Sequence, residues 1–261
     1  MFQERELSPQ VAAVRAEHAP DAVVLDAAND FETLPPAQAE DLGLLVDALD
    51  PKTYPREWLP GDAPAVLDRL AGSTFTIGAP GDGSVAWTHQ TDPPVVIVKP
   101  RVQGSPAEFV DFLVAEALVE VGLDVTEHFL GFFQDGYADL DAAVSLDPNA
   151  TYQVAAALYD GWVGLHTRDT FADWLETDPA LGDAWQDAGS RLEGRLDGLS
   201  REVALGETDF ADAAELACSA IKHALELPAP FGALDADAYR DRGAAYAVRW
   251  AEKTFEKLDE N

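Results

Sequence analysis

Residues 74–98 read TFTIGAPGDGSVAWTHQTDPPVVIV and contain the clearest strand pattern in the chain. Apolar and polar residues alternate over Thr74–Ile77, a turn rich in Gly and Asp follows, and the alternation returns over Val85–Thr88. Val95–Val98 is an unbroken apolar run, which is typical of a strand covered on both faces. The stretch therefore predicts a small antiparallel sheet of three strands over about 73–99.

The rest of the chain has mainly helical patterns. Apolar residues recur at helical spacing after Ser8-Pro9 and after Ser105-Pro106, where Glu108 completes a capping box. A short apolar run at 22–25 is a candidate fourth strand. The same spacing predicts further helices at about 36–49, 64–70, 126–135, 149–167, 170–176, 180–204, 209–227 and 237–258. The predicted fold class is mainly helical α+β, with the sheet packed on a C-terminal helical bundle.

The chain is long enough to bury a sizeable core, since 47% of its 261 residues are apolar. No linker rich in Gly and Ser divides it, so we expect residues 1–261 to form one compact unit. Within this unit, residues 1–101 are predicted to form the α+β part and residues 102–261 the helical part.

The charge is strongly acidic, with 48 Asp and Glu against 17 Lys and Arg and a formal net charge of −31. Such a charge repels itself in dilute buffer, but at about 1 M salt the Debye length is only about 3 Å. The composition therefore predicts adaptation to a salt-rich archaeal cytoplasm, and an acidic protein of a low-salt cytoplasm is the alternative. It argues against direct binding to nucleic acid or to an anionic membrane surface, because no basic stripe is present.

Compartment and redox chemistry follow from simple absences in the sequence. The start of the chain lacks a signal-peptide pattern, and no stretch of 18 residues is apolar and uncharged, so we expect a soluble cytoplasmic protein. Cys218 is the single cysteine, which excludes an internal disulfide and a metal centre built from several cysteines. It shares a helical stripe with apolar residues and is predicted to lie in the core, so no disulfide-linked partner is expected.

Three phrases carry a resemblance to a known group of proteins: GDGSVAWTHQTDPPVVIVKPR at 81–101, EHFLGFF at 127–133 and DFADAAELACSAIKHALELPAPF at 209–231. In these phrases the chain resembles a haloarchaeal family of uncharacterised proteins, and the likeness runs over nearly the whole chain. The resemblance implies a haloarchaeal source. It assigns no activity, fold or residue role.

The first candidate site follows the last predicted strand. Lys99 and Arg101 are the only basic residues between Arg69 and Arg168, and they lead into the helix start at Ser105. Two cations beside a helix N-terminus are suited to a small anion such as phosphate or carboxylate. The structural alternative is that the two cations pair with acidic residues of the following helix, namely Glu108, Glu116 or Glu120.

The second candidate is a metal site. His128, His166 and His223 lie on three different predicted helices, and Asp169 follows His166 by three residues. Three imidazoles could hold Zn²⁺ or another divalent ion, with the aspartate as a further ligand or orienting group. No paired His spacing supports this site, so buried histidines with ordinary hydrogen bonds remain the alternative.

Two further clusters have mainly structural interpretations. The acidic residues Asp135, Asp139, Asp141 and Asp147 lack the spacing of a calcium loop and are interpreted as a solvated face. The aromatic residues predicted to line the core are Phe129, Phe132, Phe133, Tyr159 and Trp162. The alternative interpretation is that they line a ligand pocket between themselves and the sheet.

The sequence favours a non-catalytic binding or accessory protein with a small-anion site at Lys99, Arg101 and Ser105. No cofactor is predicted for this function. The alternative is a metal-dependent enzyme that uses His128, His166 and His223, and only this alternative requires a divalent metal.

Overall fold

The computed structural model describes residues 1–123 and 125–260, and this part of the chain contains six β-strands and twelve α-helices. The strands are β1 (Phe2–Glu4), β2 (Val23–Ala27), β3 (Ala48–Leu49), β4 (Val85–Thr88), β5 (Thr91–Asp92) and β6 (Val95–Val98). The helices are α1 (Pro9–His18), α2 (Pro36–Gly43), α3 (Ala65–Ala71), α4 (Ala107–Gly122), α5 (Phe129–Phe133), α6 (Gly136–Ala143), α7 (Pro148–Thr177), α8 (Pro179–Leu196), α9 (Leu199–Leu205), α10 (Phe210–Ile221), α11 (Asp237–Arg242) and α12 (Ala244–Asp259). The prediction of a mainly helical α+β fold is confirmed.

The chain divides into two compact units. The sheet unit comprises Met1–Thr53, Arg69–Glu127 and Trp174–Ala184. The helical unit comprises Tyr54–Asp68, His128–Asp173 and Trp185–Asn261. The organisation of the whole chain as one compact unit, with parts 1–101 and 102–261, stays a prediction. Among the helices of the described residues, none is long and apolar enough to cross a membrane.

The main sheet is mixed, with the strand order β1-β2-β6-β4. Strand β2 confirms the candidate strand at 22–25, and it pairs in parallel with β6, with Val23 opposite Val95 and Asp26 opposite Val98. The pairs β1–β2 and β4–β6 are antiparallel. The prediction of an antiparallel sheet is therefore wrong for the central pair. The chain between β2 and β6 includes helices α2 and α3, so it forms a crossover long enough for two parallel neighbours.

The segment Thr74–Ile77 is not a strand, which corrects the first member of the predicted sheet. Burial does not follow the alternation of the sequence, because the adjacent residues Thr76 and Ile77 are both buried. The carbonyl of Ile77 accepts from the N–H of Leu34, and the carbonyl of Thr76 accepts from the side chain of Gln90. These backbone groups are therefore satisfied outside a strand ladder.

The core of the sheet unit lies against β6, whose four residues are all buried. Helix α4 packs on β4, on β6 and on α1, and nine of its residues are buried, which explains its nearly continuous apolar sequence. At Gly122 the two helices approach closely, because a Cβ at this position would lie 2.5 Å from the carbonyl oxygen of His18.

A carboxylate fixes the turn between β4 and β5. Glu127 accepts hydrogen bonds from the hydroxyl of Thr88 and from the N–H of His89, each at 2.8 Å, and from the side-chain amide of Gln90. Burial raises the pKa of Glu127, and these donors oppose the shift by favouring the ionised form. With its donors all provided by one turn, Glu127 has a structural role.

Glycines break two of the predicted helices in the helical unit. The helix expected at 180–204 ends at Leu196 and restarts after Gly198, which has a φ of 87°. The helix expected at 237–258 breaks at Gly243, which has a φ of 50°. By contrast, the helices expected at 149–167 and 170–176 form the single helix α7. The break at Gly243 creates a new helix N-terminus.

Candidate functional site

Lys99 follows β6 directly, and its side chain is completely buried. The Nζ atom lies 4.8 Å from the centre of the Phe31 ring and has no hydrogen-bond partner among residues 1–123 and 125–260. Burial lowers the pKa of Lys99, and the negative charge of Asp82 acts in the opposite direction. Lys99 is therefore a buried ammonium group that is stabilised by the Phe31 ring and by the negative charge of Asp82.

Arg101 is bound to its own surroundings. Its Nε and Nη2 atoms donate to the carboxylate of Asp30 at 2.8–3.1 Å, and further donors reach the carbonyls of Phe31 and Asp82 at 3.0 and 3.1 Å. The hydrogen bond from Arg101 lowers the pKa of Asp30. The partner is Asp30, which follows β2, and not an acid of α4. It lies here because β2 and β6 are parallel and end at the same edge of the sheet.

Ser105 does not cap helix α4, so the capping box prediction is wrong. The helix begins at Ala107, its N-cap is Pro106, and no side chain bonds to the free N–H groups of the first turn. The N–H of Ser105 donates to the carbonyl of Val102 at 3.0 Å. The donors of Arg101 and the N–H of Ser105 thus already have acceptors within the chain. The anion site stays a prediction, and its one structural support is the unpartnered Nζ of Lys99.

Each of the three histidines contacts a different aromatic ring. His128 is the N-cap of α5, its Nδ1 accepts from the N–H of Leu130 at 3.1 Å, and burial lowers its pKa to about 3. His166 contacts Trp162 at 4.6 Å between ring centres, and burial lowers its pKa. His223 stacks on Trp185 at 5.9 Å. Only His166 lies on a helix, because α5 begins after His128 and α10 ends before His223.

The metal site has no geometric support. Within residues 1–123 and 125–260, no group of three or more His, Cys, Asp or Glu side chains is placed to hold a metal ion. Asp169 instead faces Arg240, with 3.8 Å between its Oδ2 and Nη1 of the arginine. The buried Cys218 is confirmed as a core residue, and burial raises its pKa, so it is no thiolate ligand at neutral pH.

The helical unit contains an open cleft of about 700 Å³. One wall is the corner between α5 and α6, and the other is the corner between α11 and α12. We call it the arginine cleft and define it by Phe132, Asp135, Asp139, Trp162, Arg240 and Arg242. Its volume lies within the range of about 300–1,000 Å³ that is usual for small-molecule sites.

Aromatic rings form the floor of the arginine cleft. Phe132 and Trp162 pack with 4.9 Å between their ring centres, and the indole Nε1–H donates to the carbonyl of Arg240 at 3.1 Å. Gly243 lies directly over these rings, since a Cβ there would approach Phe132 to 3.1 Å and Trp162 to 3.6 Å. The indole is therefore held in one orientation, and the α11–α12 corner is held against it.

The α11–α12 corner forms a basic wall. Arg240 and Arg242 lie in the last turn of α11, where positive charge complements the helix dipole. Arg242 pairs with no carboxylate among residues 1–123 and 125–260. Helix α12 starts immediately afterwards without a side-chain cap, and its first internal bonds run from Tyr246 and Ala247 to the carbonyl of Gly243. The N–H groups of Ala244 and Ala245 thus lack acceptors inside the helix.

The α5–α6 corner forms an acidic wall with Asp135 and Asp139. Gln134 turns this corner with φ 53° and ψ −131°, nearly the same conformation as Gly243 with φ 50° and ψ −127°. Only glycine adopts this region without strain. The two corners thus have matching backbone geometry, and the one that carries a non-glycine residue is strained beside the cleft.

One protein family covers nearly the whole chain, since its model matches residues 1–258. The chain belongs to DUF7089, a family of unknown function. Neither a curated protein nor a solved structure matches it. Membership of DUF7089 thus supplies no residue roles, and the geometry of the cleft is the basis for a function.

The sequence contains partial signals for the arginine cleft. Phe132, Phe133 and Trp162 are among the aromatic residues predicted to line the core or a ligand pocket, and all three line the cleft. No strand contributes to the lining of this cleft. The glycine inside the pattern 237–258 is the signal for the missing wall, because Gly243 ends one helix and starts another.

Proposed function

We propose that the protein is a non-catalytic binding protein and that its ligand is a small molecule held in the arginine cleft. The observation that carries this proposal is the lining of the cleft, in which two guanidinium groups and three carboxylates surround a rigid aromatic floor. Small-molecule sites combine such apolar surfaces with a few placed polar groups. None of the charged residues is arranged as a nucleophile with a base, which favours binding over catalysis.

The strained corner at Gln134 also supports this function. A non-glycine residue at φ 53° and ψ −131° costs about 1–3 kcal/mol, and such strain concentrates at functional sites. We further propose that the binding takes place in the cytoplasm of a haloarchaeon at high salt. The charge of −31 and the scarcity of lysine, at five residues, support this habitat.

The small-anion site at Lys99 is a second proposal, and the unpartnered Nζ favours it. A buried ammonium without an acceptor is costly, and a bound anion would supply one. The neighbouring carboxylates of Asp30 and Asp82 act against an anion, however, and Arg101 is already bound to Asp30. The arginine cleft is therefore the stronger candidate.

A ligand screen with a blocked cleft tests the main proposal. A library of small acids, amines, zwitterions and neutral aromatic compounds is screened by ligand-observed NMR in molar KCl. Compounds that bind are then tested on Ala245→Trp, which fills the cleft from the first turn of α12. The control is Ala204→Trp, because Ala204 is an exposed helical alanine of α9 away from the cleft.

The proposal expects compounds that bind the unaltered chain and Ala204→Trp but not Ala245→Trp. Equal binding to both tryptophan variants would place the ligand elsewhere and overturn the proposal. A library without any binder would overturn it as well.

A further inference from the structure

The balance of charge differs between the two walls of the arginine cleft. Asp135 and Asp139 lie on the α5–α6 corner, whereas Arg240 and Arg242 lie on the α11–α12 corner. Within residues 1–123 and 125–260, no ion pair joins the two walls, and the nearest carboxylate partner of Arg240 is Asp169 at 3.8 Å. Opposite charges therefore line one space without neutralising each other.

This mixture of charges argues against a ligand of a single charge. Asp241 lies between the two arginines on the α11–α12 corner and also lines the cleft, so the basic wall contains one carboxylate and the whole cleft contains three carboxylates and two guanidinium groups. A simple anion would be attracted by the arginines and repelled by the three acids. A simple amine would be attracted by the acids and repelled by the arginines, because like charges at short range oppose binding. A molecule that carries both charges can satisfy both walls.

The floor and the size of the cleft define the body of such a molecule. A planar apolar group can stack on Phe132 and Trp162, which lie 4.9 Å apart and are held in place by the Trp162–Arg240 hydrogen bond. A volume of about 700 Å³ corresponds to a cube about 9 Å on a side, so one ring with substituents at both ends fits. A carboxylate at one end can accept from Arg242 and from the N–H groups at the start of α12.

From this arrangement, and on the basis of the proposed binding function, we infer that the ligand of the arginine cleft is a zwitterion. Its carboxylate binds the wall of Arg240 and Arg242, its ammonium binds the wall of Asp135 and Asp139, and an apolar body between them packs on Phe132 and Trp162. The ligand class is an amino acid whose two charges are separated by a ring or a chain of similar length. No covalent step is involved.

Three probes with one common ring test this inference. The zwitterion is 4-(aminomethyl)benzoate, the matched anion is 4-methylbenzoate, and the matched cation is 4-methylbenzylamine. Dissociation constants are measured by calorimetry or by NMR titration at low and at molar KCl. We expect the zwitterion to bind at least about tenfold more tightly than either singly charged probe, since each lost charge-assisted hydrogen bond reduces affinity by about this factor.

Variants of each wall locate the two charges. Arg242→Gln should weaken binding of 4-(aminomethyl)benzoate about tenfold, whereas the control Arg249→Gln should leave its affinity unchanged. Arg249 is an exposed arginine of α12 that pairs with Glu252, and its replacement removes the same charge. The double variant Asp135→Asn and Asp139→Asn should weaken the binding of the zwitterion but should not weaken the binding of 4-methylbenzoate. Circular dichroism verifies that each variant is folded.

Each outcome decides the inference. Preferred binding of the zwitterion with losses in both wall variants supports it. If 4-methylbenzoate or 4-methylbenzylamine binds as tightly as the zwitterion, the inference is overturned, while the proposed binding function stands. If none of the three probes binds, the inference is overturned too, and the library screen with Ala245→Trp then decides the proposed function separately.

Discussion

Replacing the buried Lys99 by methionine is expected to stabilise the protein. The side chain is completely buried, its Nζ has no hydrogen-bond partner among residues 1–123 and 125–260, and its closest compensation is the ring of Phe31 at 4.8 Å. Methionine fills a similar volume with an unbranched apolar chain that adapts to the same space. The substitution Lys99→Met therefore removes the charge and keeps most of the packing.

The size of the expected stabilisation follows from the unfavourable and favourable free energies at Nζ of Lys99. Desolvation of a buried ammonium costs several kcal/mol, and a desolvated cation–π contact returns about 2 kcal/mol. The carboxylate of Asp82 offsets a further part. Replacing buried charges by apolar side chains of similar size commonly gains about 1–4 kcal/mol, so we expect Lys99→Met to raise the free energy of unfolding by about 1–3 kcal/mol.

The assay is urea unfolding of the variant and of the exposed control Lys253→Met, which should change stability by less than about 0.5 kcal/mol. Burial lowers the pKa of Lys99 from its ordinary value of 10.5, so the unfolded chain holds this proton in a pH window where the folded protein has lost it. The stability of the unaltered protein should therefore rise with pH through this window. The lower stability of the unaltered protein relative to Lys99→Met should be fully present below this pH window and absent above about pH 10.5.

A loss of stability in Lys99→Met would contradict this prediction. If the loss is present in potassium chloride and absent with a large organic anion at equal ionic strength, Lys99 binds a small anion. The anion site predicted from the sequence would then replace the interpretation of Lys99 as an uncompensated buried charge.

The cleft corners and one histidine lead to three further predictions. Gly243→Ala should lower the free energy of unfolding by about 1–3 kcal/mol, because Gly243 has a positive φ and contacts Phe132. Gly194→Ala should raise the free energy of unfolding by about 0.5–1 kcal/mol, because Gly194 is an open position inside a helix. Equal effects of the two substitutions in urea unfolding would contradict this prediction. Gln134→Gly should raise stability by about 1 kcal/mol, since relief of strain exceeds the entropy cost of glycine; a loss in the same assay would show that the corner is unstrained. The His128 imidazole should stay neutral down to about pH 4 in an NMR titration, because its pKa in the folded protein is about 3. Its contribution to stability should be full above about pH 6.5 and should decline below that value. Protonation near pH 6 would refute its role as the neutral cap of α5.

Local patterns predicted the fold class and several elements correctly. The Ser8-Pro9 start gave helix α1, where the Ser8 hydroxyl accepts from the N–H of Val11, and the apolar run Val95–Val98 gave the buried strand β6. These elements are determined by neighbours in sequence. The parallel pairing of β2 with β6 is determined by a crossover of many residues, which no local pattern encodes.

The surroundings of the candidate sites also depend on contacts between residues that are far apart in sequence. Arg101 is an isolated cation in the sequence, but its partner Asp30 lies 71 positions away and meets it only through the parallel pair. The arginine cleft depends on two chain corners about a hundred residues apart, so its charges could not be grouped from spacing. The accessible clues were Trp162, Phe132 and the glycine that interrupts a long helical pattern.

Zwitterion binding in the arginine cleft is tested most directly by an amide and indole NMR titration of the full chain with 4-(aminomethyl)benzoate. We expect the largest shifts at the Trp162 indole N–H and at the backbone N–H groups of Ala244 and Ala245, and we expect no movement at Lys99 and its neighbours. Saturable shifts centred on Lys99, or an absence of saturable shifts at the arginine cleft, would contradict the proposed binding.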